Sequence, residues 1–139
     1  MAENHPDRCY HCKRLLFRTL LELGRELGLG AVAEGANADD LRGFRPGLRA
    51  GDELGVARPL AEVGLGKAEI RALAREWGLA CWSRPSNPCL ASRFPYHTAL
   101  TEAALRRVEA GEARLARAGL SGFRLRCHGD LARIECPPE

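Results

Sequence analysis

Between residues 83 and 96 the chain reads SRPSNPCLASRFPY. Its prolines, Pro85, Pro88 and Pro95, rule out continuous helix or interior strand through its middle. The stretch separates two textures. Before it, Lys13–Leu27 (KRLLFRTLLELGREL) sets Leu16, Leu20, Leu23 and Leu27 along one helical stripe, with Gly28 as the residue that ends it. AVAEG (31–35) reads as a short buried strand and ANADDLRGFRPG (36–47) as a polar loop. GLGKAEIRALAREWGL (64–79) is a second amphipathic helix, with Ile70, Leu73 and Trp77 on one face and Gly78 at its end. Helix, strand, loop and helix in that order form an α/β rhythm.

After the break, Thr101 and Glu102 open a third helix that Gly119 closes. FRLRCHGDLARIEC (123–136) alternates apolar and polar residues around His128-Gly129-Asp130, the pattern of a hairpin, and PPE follows it. The expectation is an α/β part over residues 1–84 and a smaller α+β part over 85–139. One helix and two strands make the second part thin for a domain.

At 139 residues and 45% hydrophobic content the chain can bury a core. Its 21 Lys and Arg are dispersed among 18 acids, for a net charge of +3, so it lacks the basic stripe of a nucleic-acid binder. No apolar run approaches a membrane span, and MAENHPDR has neither a basic nor an apolar leader region. The expectation is a soluble cytoplasmic protein, without nucleic-acid or membrane partners. Thiols stay reduced in that compartment, so six cysteines favour metal or catalytic roles over disulfides.

Cys9 and Cys12 form a Cys-x-x-Cys directly ahead of the first helical run. A redox pair would need a preceding strand, which the first eight residues do not provide. A zinc ribbon would need a second close pair, and Cys81, Cys89, Cys127 and Cys136 stand singly. Two incidental thiols remain an alternative. The third reading is a metal site completed from elsewhere, and Cys89, held in the stiff Pro-rich turn, is its best further ligand. Cys81, Cys127 and Cys136 suit core or edge positions. Three thiolates with one vacant position are too few for structural zinc but suit an iron–sulfur cluster with one reactive iron.

A second group combines Ser92 and Arg93 with Arg124 and Arg126, the last two on one face of a strand. Paired guanidinium groups suit phosphate or carboxylate, and a solvated strand face is the plain alternative. Asn37, Asp39 and Asp40 follow the expected strand, where open α/β sheets bind ligands. Residues of this type also make turns and helix caps.

In order along the chain, PDRCYHCK (6–13), EGANADDLRGFRPG (34–47), RPLAEVGLGKAEIRALAREWGL (58–79), RPSNPCLASRFPY (84–96) and RLRCHGDLARIE (124–135) resemble one family. These are the ATP-dependent sacrificial sulfur transferases, PP-loop enzymes that thiolate the pyridinium precursor of the lactate racemase nickel-pincer cofactor. The resemblance implies an α/β fold. Residues 1–84 would be the C-terminal part of a PP-loop (adenine nucleotide alpha hydrolase-like) parallel-sheet domain. Residues 85–139 would be the start of a small α+β domain for substrate and sulfur transfer.

In that family ATP, with Mg, adenylylates a substrate carboxylate, and a protein-held sulfur attacks the activated carbon. One branch sacrifices a cysteine sulfur; another holds a [4Fe-4S] cluster on three cysteines. Cys9, Cys12 and Cys89 match the three-cysteine pattern, with Cys89 at the catalytic position. Ser92, Arg93, Arg124 and Arg126 fall where the family binds substrate or phosphate, with Glu112 as a partner. Asn37, Asp39 and Asp40 would lie on the nucleotide side. The implied substrate is a small pyridinium carboxylate mononucleotide, and the implied assembly a homo-oligomer.

The family's Ser-Gly-Gly-x-Asp-Ser loop, which wraps the ATP phosphates, does not occur in the sequence. The expectation is therefore a segment of a longer enzyme, a mis-started gene or a split subunit, and a chain that by itself is inactive and does not hydrolyse ATP. A non-enzymatic iron–sulfur or metal-binding remnant is the competing reading. A PP-loop tRNA thiolase is the third, disfavoured by the modest charge.

Overall fold

Arg8–Glu26 forms one 19-residue helix, α1, in a computed structural model that describes residues 3–136. Met1, Ala2 and the terminal PPE lie outside the described residues. α1 begins well before the leucine pattern, because the N–H groups of Tyr10 and His11 both donate to the Asp7 carbonyl and close a first turn there. Cys9 and Cys12 thus sit inside the helix, not ahead of it. At the other end Gly28 has φ +68° and the Leu29 N–H reaches back to the Gly24 carbonyl (2.8 Å), a left-handed helix stop.

The chain forms two units, one of Asp7–Arg84 and one that joins the N-terminal residues up to Pro6 with the chain from Pro85 onward. In the first, α1 packs on α2 (Pro46–Leu54), whose first turn carries Pro46 and whose end is a left-handed Gly55. The leucine stripe is not the buried face. Leu16, Leu20, Leu23 and Leu27 are exposed, whereas Tyr10, Phe17 and Gly24 are buried. The reason lies in α2, where the small side chain of Ala50 takes Tyr10 and Phe17 into one cluster with Val56, and Gly47 leaves room for the Lys13 side chain and the Cys9 carbonyl. Tyr10, Phe17, Ala50 and Val56 form the core, flanked by Val32 and Leu54.

A polar network borders this core. Glu34 receives Lys13 and Arg58 (2.9 Å from Nε), and Arg58 also reaches Asp52 (2.6 Å) and the Leu48 carbonyl. A Cβ on Gly51 would stand 2.6 Å from Arg58 Nη2, so the glycine is what lets this arginine cross α2.

The strand expected at residues 31–35 is reduced to one parallel bridge, Ala33 to Ala57, with Glu34 N–H donating to the Ala57 carbonyl (2.9 Å). Ala31, Ala33 and Gly35 are exposed. Val32 packs against the core on one face while Ala31, Ala33 and Gly35 leave the other uncovered, and with a single pairing partner no parallel ladder propagates. The expected loop 36–47 contains a 3₁₀ turn, Ala38–Arg42, and the start of α2. A short helix α3 (Pro59–Glu62) follows, then α4 (Lys67–Glu76), which a left-handed Gly78 ends. Trp77 is 70% exposed, so the expected apolar face of α4 is not a buried one.

In the second unit α5 (Glu102–Arg117) is capped by Thr101 Oγ1, which accepts the Ala104 N–H at 3.1 Å. β1 (Arg124–His128) and β2 (Leu131–Glu135) pair antiparallel, with Gly129-Asp130 as a two-residue turn. α5 lies so close on β1 that a Cβ on Gly111 would meet Leu125 Cδ2 at 2.4 Å. Asn4, fully buried, donates from Nδ2 to the carbonyls of Phe94 (3.2 Å) and Pro95 (2.6 Å). The described residues are mixed α/β, mostly helical, with one small antiparallel sheet among them. Among the described residues no helix is long and apolar enough to cross a membrane.

Candidate functional site

The Cys-x-x-Cys occupies the first turn of α1. Three positions apart, Cys9 and Cys12 share one face of the helix, and both thiols are free and exposed. The two residues between them fix that turn. Tyr10 is buried, donates to Glu53 Oε2 (2.7 Å) and is covered by the Arg49 guanidinium 3.8 Å from its ring centre. His11 lies 3.3 Å from Asp7. The pair therefore rides on an anchored helix end and not on a loop.

Cys89 belongs to the other unit. It precedes a 3₁₀ turn, Leu90–Arg93, closed by the Ser92 N–H on the Cys89 carbonyl at 2.9 Å, and its thiol is free and exposed. Arg93, four residues on, is 2% exposed. Its Nε and Nη2 form a fork on Glu112 (2.7 and 3.2 Å). Nη1 donates to the Pro88 carbonyl (3.2 Å) and Ser92 Oγ (3.0 Å), and Nη2 also to Asn87 Oδ1 (3.3 Å). Asn87 was not singled out in the sequence. Its signal was its type, a turn-forming residue two positions before a cysteine in a Pro-rich bend.

Glu112 also accepts the Leu125 N–H at 2.9 Å, which ties α5 to β1. Partial burial works to raise its pKa, but hydrogen bonds from Arg93 and Leu125 and the charges of Arg93 and Arg124 outweigh it. The carboxyl is held below its ordinary value of 4.5. Its folded pKa is depressed, so the stability it contributes is present above that ordinary value and lost as pH falls through the depressed one. Glu112→Gln is expected to lower the unit's stability at neutral pH by about 2 kcal/mol. It is also expected to flatten the decline on acidification, as read by urea titrations at stepped pH.

Arg124 and Arg126 do share a strand face, opposite Glu135 and Arg133. Arg126 donates to Glu135 (2.6 Å) and to the Ser92 carbonyl (2.9 Å), which brings β1 against the Cys89 turn. Hydrogen bonds from Arg126 and Arg133 keep the Glu135 carboxyl below its usual range. The Arg124 guanidinium enters no hydrogen bond or ion pair among the described residues, and it lines a hollow of about 280 Å³ with Gly122, Glu135 and Cys136. A second cleft, about 320 Å³, lies beside Asn87, Glu112 and Phe123. Ser92, Arg93, Glu112, Arg124 and Arg126 are thus brought together around the Cys89 turn.

Asn37, Asp39 and Asp40 stand apart from that group, in the first unit. Asn37 Oδ1 accepts the N–H groups of Asp39 (3.0 Å) and Asp40 (3.3 Å). Asp40 Oδ2 accepts the Asn37 N–H (3.2 Å) and the carboxylate pairs with Arg45 (2.8 Å), and Asp39 accepts the Lys67 N–H at the start of α4 (2.7 Å). Each of the three makes a turn or caps a helix. Cys81 and Cys136 are exposed, and Cys127 is partly covered, 3.8 Å from Arg107 Nη2. Within either unit, no three His, Cys, Asp or Glu side chains are grouped to hold a metal ion among the described residues.

No protein-family model matches the chain. Individual proteins do. The uncharacterized protein slr1717 of Synechocystis sp. is 46% identical over 136 residues, 98% of this chain and 51% of that protein. The uncharacterized protein MJ0830 of Methanocaldococcus jannaschii is 33% identical over 97% of the chain and 53% of its own length. The chain spans about half the length of the curated relatives it matches. Across 99% of its residues it is similar, at 38% identity, to half of the pyridinium-3,5-bisthiocarboxylic acid mononucleotide synthase of Lactiplantibacillus plantarum.

Proposed function

We propose that this chain is the sulfur-delivering portion of an ATP-dependent sulfur transferase. Its substrate would be a pyridinium dicarboxylate mononucleotide whose carboxylate has been adenylylated. The observation that carries the reading is the similarity, across nearly the whole chain, to a synthase named for the bisthiocarboxylic product. Three exposed free thiols at Cys9, Cys12 and Cys89, two of them on one helix turn, give the soft donors that a [4Fe-4S] cluster takes. Such a cluster, when bound, supplies a deprotonated sulfide that is nucleophilic at neutral pH.

The chain's own residues attend to the substrate. Arg124, with its guanidinium uncommitted, meets the phosphate or carboxylate charge, and Arg126, paired with Glu135, borders it. Ser92 Oγ accepts from Arg93, which leaves its own O–H free to donate outward. Cationic and hydroxyl donors fixed beforehand lower the cost of bringing a sulfur anion to an already anionic substrate. In the transfer, a C–S bond forms at the acyl carbon, the C–O bond to the adenylate breaks, and AMP leaves with that electron pair. Adenylylation itself calls for the Gly-rich phosphate loop that this sequence does not contain.

Anaerobic reconstitution of the chain with ferrous iron and sulfide, read by optical absorption, tests the proposal. A broad charge-transfer band is expected, abolished by Cys9→Ala, Cys12→Ala or Cys89→Ala and kept in Cys81→Ala. A chain with no band, or a Cys89→Ala variant indistinguishable from the parent, overturns it.

A further inference from the structure

Arg93 has spent every donor it owns. A guanidinium carries five N–H groups, and those of Arg93 reach Glu112 twice, the Pro88 carbonyl, Ser92 Oγ and Asn87 Oδ1. The side chain is 2% exposed and its carboxylate partner is itself held by the Leu125 N–H. A phosphate or carboxylate could be received here only by expelling Glu112, a charge already paired and hydrogen-bonded. The partners are informative by position. Asn87 and Pro88 come immediately before Cys89, and Ser92 comes three residues after it.

We propose that Arg93, with Glu112 and Asn87, is a positioning device for Cys89 and not an anion-binding element. The guanidinium staples both flanks of the cysteine bend to one point, and Glu112 ties that point to α5 and β1. Pro88 fixes its own φ, and Cys89 is held extended at φ −48° and ψ 140°, so the backbone that aims the thiol has little freedom left. An exposed thiol is thereby carried on a buried, rigid support, the arrangement that keeps a reacting atom in place. The inference rests on the reading of Cys89 as a functional sulfur ligand. It assigns Arg93 and Glu112 to the bend, and Asn87 joins them as a third participant.

Two variants test it in the 139-residue chain without iron. Arg93→Lys keeps the charge and one contact to Glu112 but cannot serve all the acceptors. Asn87→Ala removes one acceptor from an exposed residue and leaves the core untouched. Amide exchange by NMR is read at Ser92, whose N–H closes the Cys89 turn, and at Val108 inside α5. Arg93→Lys is expected to speed Ser92 exchange roughly tenfold with Val108 unchanged, the factor for losing a hydrogen bond to a charged group. Asn87→Ala is expected to speed it by about threefold, as for a weaker bond.

The second readout is iodoacetamide labelling resolved by site. Both variants are expected to slow the alkylation of Cys89 by about threefold, because a loosened bend no longer holds the thiol outward, with Cys136 unaffected. The proposal is overturned if Ser92 exchange is unchanged, or if it rises together with Val108. It is also overturned if the bend loosens while Cys89 labels at the parental rate, which would make the staple purely structural. Neither readout requires iron, so failure of the cluster reading would leave both standing.

Discussion

Arg93→Ala is expected to cost the second unit about 3 kcal/mol, the lower end of what removing one partner of a buried ion pair costs. The lower end applies because Glu112 keeps 17% of its side-chain surface and the nearby charge of Arg124, so the abandoned carboxylate is partly compensated. The remaining loss is that of the hydrogen bonds to the Pro88 carbonyl and Asn87, and it is small because both residues are exposed and water can replace the donor. Urea unfolding followed by two probes separates this from a general effect. Both tryptophans, Trp77 and Trp82, belong to the Asp7–Arg84 unit. Their fluorescence transition should stay in place while part of the far-ultraviolet circular dichroism transition moves to lower urea. Movement of both together would mean that the two units unfold as one.

Phe17→Ala should do the reverse, and with a larger effect. Phe17 is 3% exposed, at the centre of a core of four buried residues, two of which are only alanine or valine. Truncating a buried phenylalanine costs about 3–5 kcal/mol. The upper half of that range applies here, because Ala50 is backed by Gly47 and Gly51 and has no long side chain to collapse into the space. The tryptophan transition should shift strongly or vanish, while amide protection inside α5 persists. A shift of less than about 1 kcal/mol would mean that α1 and α2 repack.

What could be read in the sequence was what local rules decide. Gly28, Gly78 and Gly119 end helices because a left-handed residue is needed there, and each has positive φ. Gly129-Asp130 closes a hairpin whose strands then fall into register without help from elsewhere. What depended on a partner was not legible. The leucines of α1 are the obvious stripe, yet which face is buried was decided by the small residues of α2. AVAEG has the composition of a buried strand, but a strand needs neighbours, and among the described residues it pairs only through the bridge to Ala57. The site was divided in the same way. The arginines and Ser92 do converge, but the sequence could not distinguish the donor consumed by its own fold, Arg93, from Arg124, which is left open. That difference was decided by a glutamate nineteen residues away and a backbone carbonyl.

Asn4 carries a last consequence. Its side chain is bound to the carbonyls of Phe94 and Pro95, 90 or more residues along the chain, so Asp7–Arg84 is an insertion within the other unit. Such a unit cannot be completed in order of synthesis. Asn4 leaves the ribosome well before its partners at Phe94 and Pro95 and must wait for them. The intervening stretch can meanwhile fold on its own short-range contacts, α1 against α2. Closing a loop of 90 residues costs little more than closing a shorter one, since that penalty grows only with the logarithm of length. It nevertheless falls late in folding, after the short-range contacts of the intervening stretch have formed.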